Sequence, residues 1–330
     1  MSVLNVTGIQ KMNHKKEILS GWMELSGFPK FTTIMLPFLL GAVLAWAFGH
    51  PIDCVVLAIS LLAVFLLTDF CFVLNACSVY ADLKQKGIDF GHVEGTSTLH
   101  STAVSGRFDA LVKGRISVKQ AVIGAYLCVL AALPLGVLLQ FHFKTGVLTL
   151  PLGLLGIFIA YGYSRGLRFS YHGLGEIALT AGVGWLTVFS GYYLQAHQVS
   201  WLPTVVALPW MIDVFKLKLT REIPDFDCDL AINRRNLAIR LGKTTTASLY
   251  LPLTVCSWLA FVPILFLDVP YVGFVLLAIP TFFTAKSLIS MKRGDWKTEE
   301  GLRAITKNAF TGMILIPVAL IGIFVLKMVV

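Results

Sequence analysis

Residues 54–76 read CVVLAISLLAVFLLTDFCFVLNA. The run is longer than the roughly 20 apolar residues a helix needs to cross a bilayer. Lipid offers the peptide backbone no hydrogen bonds, so such a run satisfies itself as a helix. Working outward, similar runs recur at 31–49, 118–140, 145–163, 176–195, 201–219, 247–267, 270–288 and 308–328. The expected fold class is all-α: a polytopic membrane protein with nine transmembrane helices in a bundle, a central apolar cavity and polar cytoplasmic cap loops. A cytoplasmic segment, 1–30, precedes a single membrane domain, 31–330.

Composition agrees. The chain is 56% hydrophobic and 14% charged, where a soluble domain carries about 25% charged residues. A large soluble helical core does not explain so many long apolar runs, and the mean hydropathy is +0.78. In a soluble protein the net charge of +9 would suggest nucleic acid. Here its placement excludes that partner. Lys and Arg gather before the first run (Lys11, Lys15, Lys16, Lys30) and after the second (Lys84, Lys86, Arg107, Lys113, Arg115). They gather again after the fourth (Arg165, Arg168), the sixth (Arg221, Arg234, Arg235, Arg240, Lys243) and the eighth (Lys292, Arg293, Lys297, Arg303, Lys307). This alternation is the positive-inside pattern: an integral, multi-pass protein, N-terminus cytoplasmic and C-terminus outside. The first 20 residues lack an apolar stretch before a cleavage site, so no cleavable signal peptide is expected. The six cysteines are scattered without a CxxC pair and read as small core residues.

Two inner loops, about 77–117 and about 220–246, are long, polar and acidic. The second contains REIPDFDCD (221–229), which gathers Glu222, Asp225, Asp227 and Asp229 in a chain with 18 acids. Asp225 and Asp229 are four apart and share one face of a helix. The first loop contains SVYADLKQKGID (78–89), where Asp82 and Asp89 are seven apart, two turns on one helical face. Paired carboxylates repel unless a cation lies between them. Oxygen donors with no His or Cys nearby in sequence suit Mg²⁺, which completes its shell with water and phosphate oxygens. Acids at the mouth of an apolar bundle, flanked by Arg and Lys, point to a phosphate head on an apolar tail. On spacing alone, a solvated acidic face or a helix cap also remains open.

EIPDFDCDLAINRRNLAIRLGK (222–243) resembles the second aspartate motif of the UbiA superfamily of intramembrane prenyltransferases. It is most similar to the menaquinone-type branch, the 1,4-dihydroxy-2-naphthoate prenyltransferases. SVYADLKQKGID resembles the first motif, and YGYSRGLRFSYHGLGEI (161–177) the branch's segment with a Tyr, a basic residue and Y-x-G-L-G-E. ALVKGRISVKQA (110–121) and GYYLQ (191–195) match weaker stretches. The sequence departs from the pattern at Ser78 (family Asn), Val79 (often an acid), Arg221 (Asn) and Asn233 (Gly), and one residue is inserted near Gln85–Lys86. Asn75, a turn before Ser78, is a candidate substitute for the missing amide.

The resemblance implies prenyl transfer. Mg²⁺ held by Asp82, Asp89, Asp225 and Asp229 would neutralise a diphosphate leaving group. The allylic cation would be captured by an aromatic acceptor, a quinone precursor or a phenol, inside the bilayer near its cytoplasmic face. Tyr161 and Arg165 match a Tyr-xxx-basic element and are expected at the reacting centre. Arg107, Lys113 and Arg221, with Ser78 and Asn75, are expected around the diphosphate. Tyr80, Tyr161, Tyr163 and Trp185 are candidate cation–π partners. Two further readings stand beside transfer: a terpene cyclase on the same scaffold, and a catalytically silent isoprenoid-binding membrane protein.

Overall fold

The computed structural model describes residues 16–27, 31–87 and 109–329. It is 84% helix, with no strand among the described residues. In chain order the main helical segments are α1 (Thr32–Ala47), α2 (Cys54–Gln85), α3 (Val118–His142), α4 (Thr149–Ser164), α5 (Gly175–Ala196), α6 (Leu202–Ala231), α7 (Lys243–Phe266), α8 (Tyr271–Arg293) and α9 (Glu299–Val329). Among the described residues, 6 of these, α2, α3, α5, α7, α8 and α9, are long and apolar enough to cross a bilayer. α1 and α4 are shorter apolar helices of 16 residues. α6 is 30 residues long and carries Asp213, Lys216, Lys218 and Arg221 along its length.

Two corrections to the expected layout follow. The segments 77–85 and 220–231 are not loop: α2 and α6 run on through them as helix. Each acidic segment is therefore the C-terminal end of a long helix. Conversely, α2 stops at Gln85, and Gly87 turns left-handed with φ +72°. The helical register that would put Asp82 and Asp89 on one face ends short of Asp89, which lies outside the described residues, as does Arg107.

α1 and α5 touch backbone to backbone. A Cβ on Gly41 would sit 2.1 Å from the Val188 carbonyl oxygen, and one on Gly191 would sit 2.0 Å from that of Phe38. Small residues permit such an approach where lipid supplies no hydrophobic drive to helix association. The largest core cluster surrounds α6 and α9, with Trp210, Tyr250, Leu320 and Phe324 buried. A second joins α2 and α3. The helix over 16–26 packs on this pair: Trp22 Nε1 donates to Asp69 Oδ2 at 2.9 Å, and Arg115 pairs with Glu24 at 2.8 Å. A third cluster, with Phe38, Leu139, Phe189 and Leu194, is packed at the far end of the bundle from the acidic segments.

Between α1, α2, α3, α4 and α5 lies a cavity of about 180 Å³. Its walls are helical stripes: Ser60, Val64, Leu67 and Cys71 on α2, and Thr149, Gly153, Gly156 and Tyr163 on α4. The α5 wall is opened by a π-helical stretch, Thr180–Leu186, which contributes Gly182, Val183 and Leu186. Such wide turns are rare and occur frequently at functional sites. Hydroxyl residues in the wall do not make it polar. Ser60, Thr68 and Thr187 each donate to the carbonyl four residues earlier, Val56 at 2.6 Å, Val64 at 2.6 Å and Val183 at 2.7 Å.

Candidate active site

Asn75, Ser78 and Asp82 stand at i, i+3 and i+7 on α2, hence on one face. The segment that follows α4 lies along this face. Ser164 Oγ donates to Asn75 Oδ1 at 2.8 Å. Arg165 Nε donates to Ser78 Oγ at 3.2 Å. Arg168 Nη2 and the Tyr171 hydroxyl both donate to Asp82 Oδ2. The chain achieves this with two left-handed residues, Gly166 at φ +58° and Arg168 at φ +50°. The Arg168 guanidinium lies over the Tyr171 ring, 3.6 Å from its centre. Burial, reinforced by the adjacent Asp82 carboxylate, pushes the Tyr171 phenol up to about 12, so it remains a donor at neutral pH.

The acids of REIPDFDCD divide by role. Asp227 is exposed and pairs with Lys243 at 3.0 Å. Glu222 is buried against Lys218, 2.5 Å away. Asp225 and Asp229 are buried at the end of α6. Asp229 accepts from Arg234 Nη1 at 3.0 and 3.1 Å and from Asn236 Nδ2 at 2.7 Å. The turn that returns Arg234 to Asp229 passes through Asn233 at φ +56°. That conformation explains the departure noted in the sequence: Gly is the easiest residue there, and Asn is among the few others that adopt it readily. Pro224 lies inside α6 and has no N–H for the Thr220 carbonyl.

The two acidic segments meet through Tyr171. Its carbonyl accepts from Arg235 N at 3.1 Å, and the Arg234 guanidinium is 5.9 Å from its ring centre. Arg240 Nη2 donates to the His172 carbonyl at 3.0 Å. Glu176, fully buried, accepts from Leu237 N at 2.9 Å. The structure thus brings together Asn75, Ser78, Asp82 and Arg165 on one side and Asp225 and Asp229 on the other. Arg221 is half-buried on α6, one turn before Asp225. Lys113 instead pairs with Asp109 at 2.7 Å on an exposed surface.

Tyr161 is 40% exposed. Its ring packs on Gly166, where an added Cβ would come within 2.7 Å of it. Tyr163, two positions on and therefore on the opposite side of α4, is the tyrosine that lines the cavity. Trp185 stacks on Phe189 at 4.8 Å and donates to Thr204 at 2.9 Å. Sequence reasoning passed over Arg168 as a site residue, and Tyr171, Arg234 and Asn236 with it. Tyr171 lies inside the quoted YHGLGE, and Arg234 and Asn236 inside INRRN, so the signal was present as motif membership rather than as chemistry.

The donor set suits a hard divalent cation: Asp82, Asp225 and Asp229 offer carboxylate oxygen. Among the described residues no three His, Cys, Asp or Glu side chains cluster as a closed metal cage. Mg²⁺ is commonly held by one or two carboxylates plus water and substrate phosphates, so an open set is compatible with it.

An apolar cavity lies beside buried carboxylates and fixed guanidinium groups in a chain of long apolar helices. The profile of the UbiA prenyltransferase family matches residues 34–300, and the chain belongs to that family. It is 25% identical over 236 residues to UbiA prenyltransferase domain-containing protein 1 of Danio rerio, covering 71% of this chain and 63% of that protein. It is 31% identical over 97 residues to the 1,4-dihydroxy-2-naphthoate octaprenyltransferase of Escherichia coli K12, covering 28% of this chain and 31% of that protein. The chain thus aligns with under two thirds of either relative. A UbiA homologue from Archaeoglobus fulgidus bound to GPP and Mg²⁺ has the same fold, with TM-score 0.59, 15% identity, and 91% and 99% of the two chains covered. A digeranylgeranylglyceryl phosphate synthase structure matches with TM-score 0.60 and 14% identity over 94% of this chain and 99% of that one.

Proposed function

We propose that this protein transfers an isoprenyl group from a prenyl diphosphate to an aromatic acceptor, a quinone precursor or a phenol, within the membrane and with Mg²⁺. The observation that carries the reading is the junction at the end of α4. Tyr163 lines the apolar cavity, and the next two residues, Ser164 and Arg165, bond to Asn75 and Ser78 beside Asp82. A tail in the cavity therefore delivers its first carbon to the acids and arginines.

In this reading Asp225, Asp229 and Asp82, with Asp89, hold Mg²⁺, which when bound neutralises the leaving diphosphate as a Lewis acid. Arg165 and Arg221, with Arg107, add fixed positive charge to the same group. Arg168 and Tyr171 fix the Asp82 carboxylate, and Arg234 and Asn236 fix that of Asp229. Tyr163 presents its ring at the cavity mouth, where a cation–π contact lowers the energy of an allylic cation. The hydrocarbon wall excludes the water that would quench it. The topology proposed with this reading has nine crossings, an N-terminus on the cytoplasmic side and residues 31–330 as one domain.

The test is incubation of purified protein with Mg²⁺ and geranylgeranyl diphosphate, with and without 1,4-dihydroxy-2-naphthoate or a simpler phenol. Acceptor-dependent prenylated product is expected. A cyclised hydrocarbon or alcohol would replace transfer by cyclisation, and intact diphosphate under all conditions would leave a binding protein.

A further inference from the structure

The channel has a measurable length and two unlike ends. On α4 it is lined from Thr149 to Tyr163, 14 positions, or about 21 Å of helix. Tyr163 marks the end next to Arg165. At the other end Phe38, Leu139, Leu194 and Thr149 line it, and all four are buried. Behind this floor the Thr145 and Thr149 hydroxyls bond to each other at 2.7 Å, and Thr145 donates to the Leu139 carbonyl at 2.9 Å. The floor is thus tied together, not merely apposed.

The wall between the ends is uneven. At Gly156 an added Cβ would meet Leu186 at 3.7 Å and Leu67 at 3.9 Å, ordinary contact with the two facing walls. At Gly182 it would meet Ile159 at 3.1 Å. At Gly153, one turn above the floor on α4, it would meet nothing within 4 Å. Gly153 is therefore a cavity-lining position where a side chain enters open space instead of a neighbour.

We propose that the α4 wall measures the donor's tail, that Leu139 and Leu194 end it, that Gly153 leaves its last segment open, and that the lined length admits at most about four isoprene units, because four carbon–carbon bonds of about 1.5 Å in a tetrahedral zigzag advance about 5 Å per unit. The proposal rests on the transfer reading for the identity of the ligand. It goes beyond it in assigning the length and the residues that set it. A side chain at Gly153 fills the last turn of the channel and selects shorter tails. Removing the Leu194 side chain opens the floor and selects longer ones.

The experiment compares wild type, Gly153→Phe and Leu194→Ala in the full chain, with prenyl diphosphates of two, three, four and eight units. It reads the ratio of kcat/KM for each donor to that for the four-unit donor. A parallel series reads the rise in melting temperature given by the matching non-reactive thiolodiphosphates. A hydrophobic pocket discriminates one small group by about tenfold or more. Gly153→Phe is expected to shift both ratios toward two or three units by at least about tenfold, and Leu194→Ala toward eight. Unchanged ratios in both variants would overturn the proposal, as would a wild type that prefers eight units. Absence of turnover with the melting order intact would sink the transfer reading and leave the length assignment standing.

Discussion

Tyr171 gives its phenolic hydrogen to Asp82, across the gap between the post-α4 segment and the end of α2. The same tyrosine carries Arg168 on its ring and receives a backbone hydrogen bond from Arg235. One side chain thus registers the two acidic segments, which are far apart in sequence, against each other.

Tyr171→Phe removes the donor and keeps the ring. Loss of one charge-assisted hydrogen bond corresponds to about 1.5–3 kcal/mol, so kcat/KM should fall roughly tenfold to a hundredfold. The phenol also has a pH signature. Its folded-state pKa, about 12, lies above the ordinary 10. A raised pKa contributes stability that is present below the unfolded value and lost as pH rises through the folded one. Wild type should therefore lose stability between pH 10 and 12 in a way that Tyr171→Phe does not. Melting curves of the two proteins across that window check it, and parallel curves would refute it.

Asp225 and Asp229 should both be needed for turnover, yet their replacements should differ in stability. Asp229 holds Arg234, whose side chain is buried to 2% exposure. Asp229→Ala leaves that cation unpaired, at a cost of about 3–5 kcal/mol. Asp229→Asn, which keeps a carbonyl acceptor, should recover much of the stability without the activity. Thermal melting beside turnover measures both, and near-wild-type turnover in saturating Mg²⁺ would remove either acid from the metal role.

Gly41→Ala places a methyl group within 2.1 Å of the Val188 carbonyl oxygen. α1 and α5 must separate to accept it, and overpacking of this kind costs about 1–3 kcal/mol. A clear drop in melting temperature is expected from Gly41→Ala and from Gly191→Ala alike. A melting temperature equal to wild type would mean that the crossing is looser than described.

Asn233→Gly should be neutral or stabilising, because glycine adopts a left-handed φ without a Cβ penalty. Asn233→Val should be destabilising by about 1–2 kcal/mol, the cost of a left-handed residue with a branched side chain. Both are read by melting, and the opposite order would show that Asn233 is held by its side chain instead of its backbone.

The sequence revealed much of the architecture because lipid makes hydropathy decisive: long apolar runs have one backbone solution. The helix ends were less legible. α6 continues from its apolar half into REIPDFDCD because Lys218 and Glu222 pair within the helix, a contact that hydropathy reads as loop. Asp225 and Asp229 were found by spacing. Arg168 and Tyr171 were not, since only the left-handed turn at Gly166 and Arg168 brings them to Asp82. Tyr161 was preferred over Tyr163 on motif grounds, and helix phase decides in favour of Tyr163 as the cavity residue.

Ser78 is the sharpest test of how the first segment works. The sequence places it where the family carries Asn and where a residue beside the diphosphate is expected. Ser78 lies inside α2 and donates to the Leu74 carbonyl at 2.8 Å. With its hydrogen committed there, the hydroxyl oxygen accepts from Arg165 Nε. Under the proposed transfer reaction, Ser78 acts on the diphosphate through Arg165, as a positioning residue. Ser78→Ala should raise KM for the prenyl diphosphate by several-fold, about the weight of one hydrogen bond to a charged group, while leaving half-saturation by Mg²⁺ where it was. Ser78→Asn restores an acceptor and should recover the KM, again with an unmoved Mg²⁺ titration. If Ser78 were instead a ligand, Ser78→Asn would shift half-saturation to lower Mg²⁺ and Ser78→Ala to higher. Titration of both variants with Mg²⁺ at fixed donor separates the two roles. The Arg165→Gln variant completes it: under the positioning role Ser78→Ala adds little once Arg165 is gone, because the two substitutions remove the same contact.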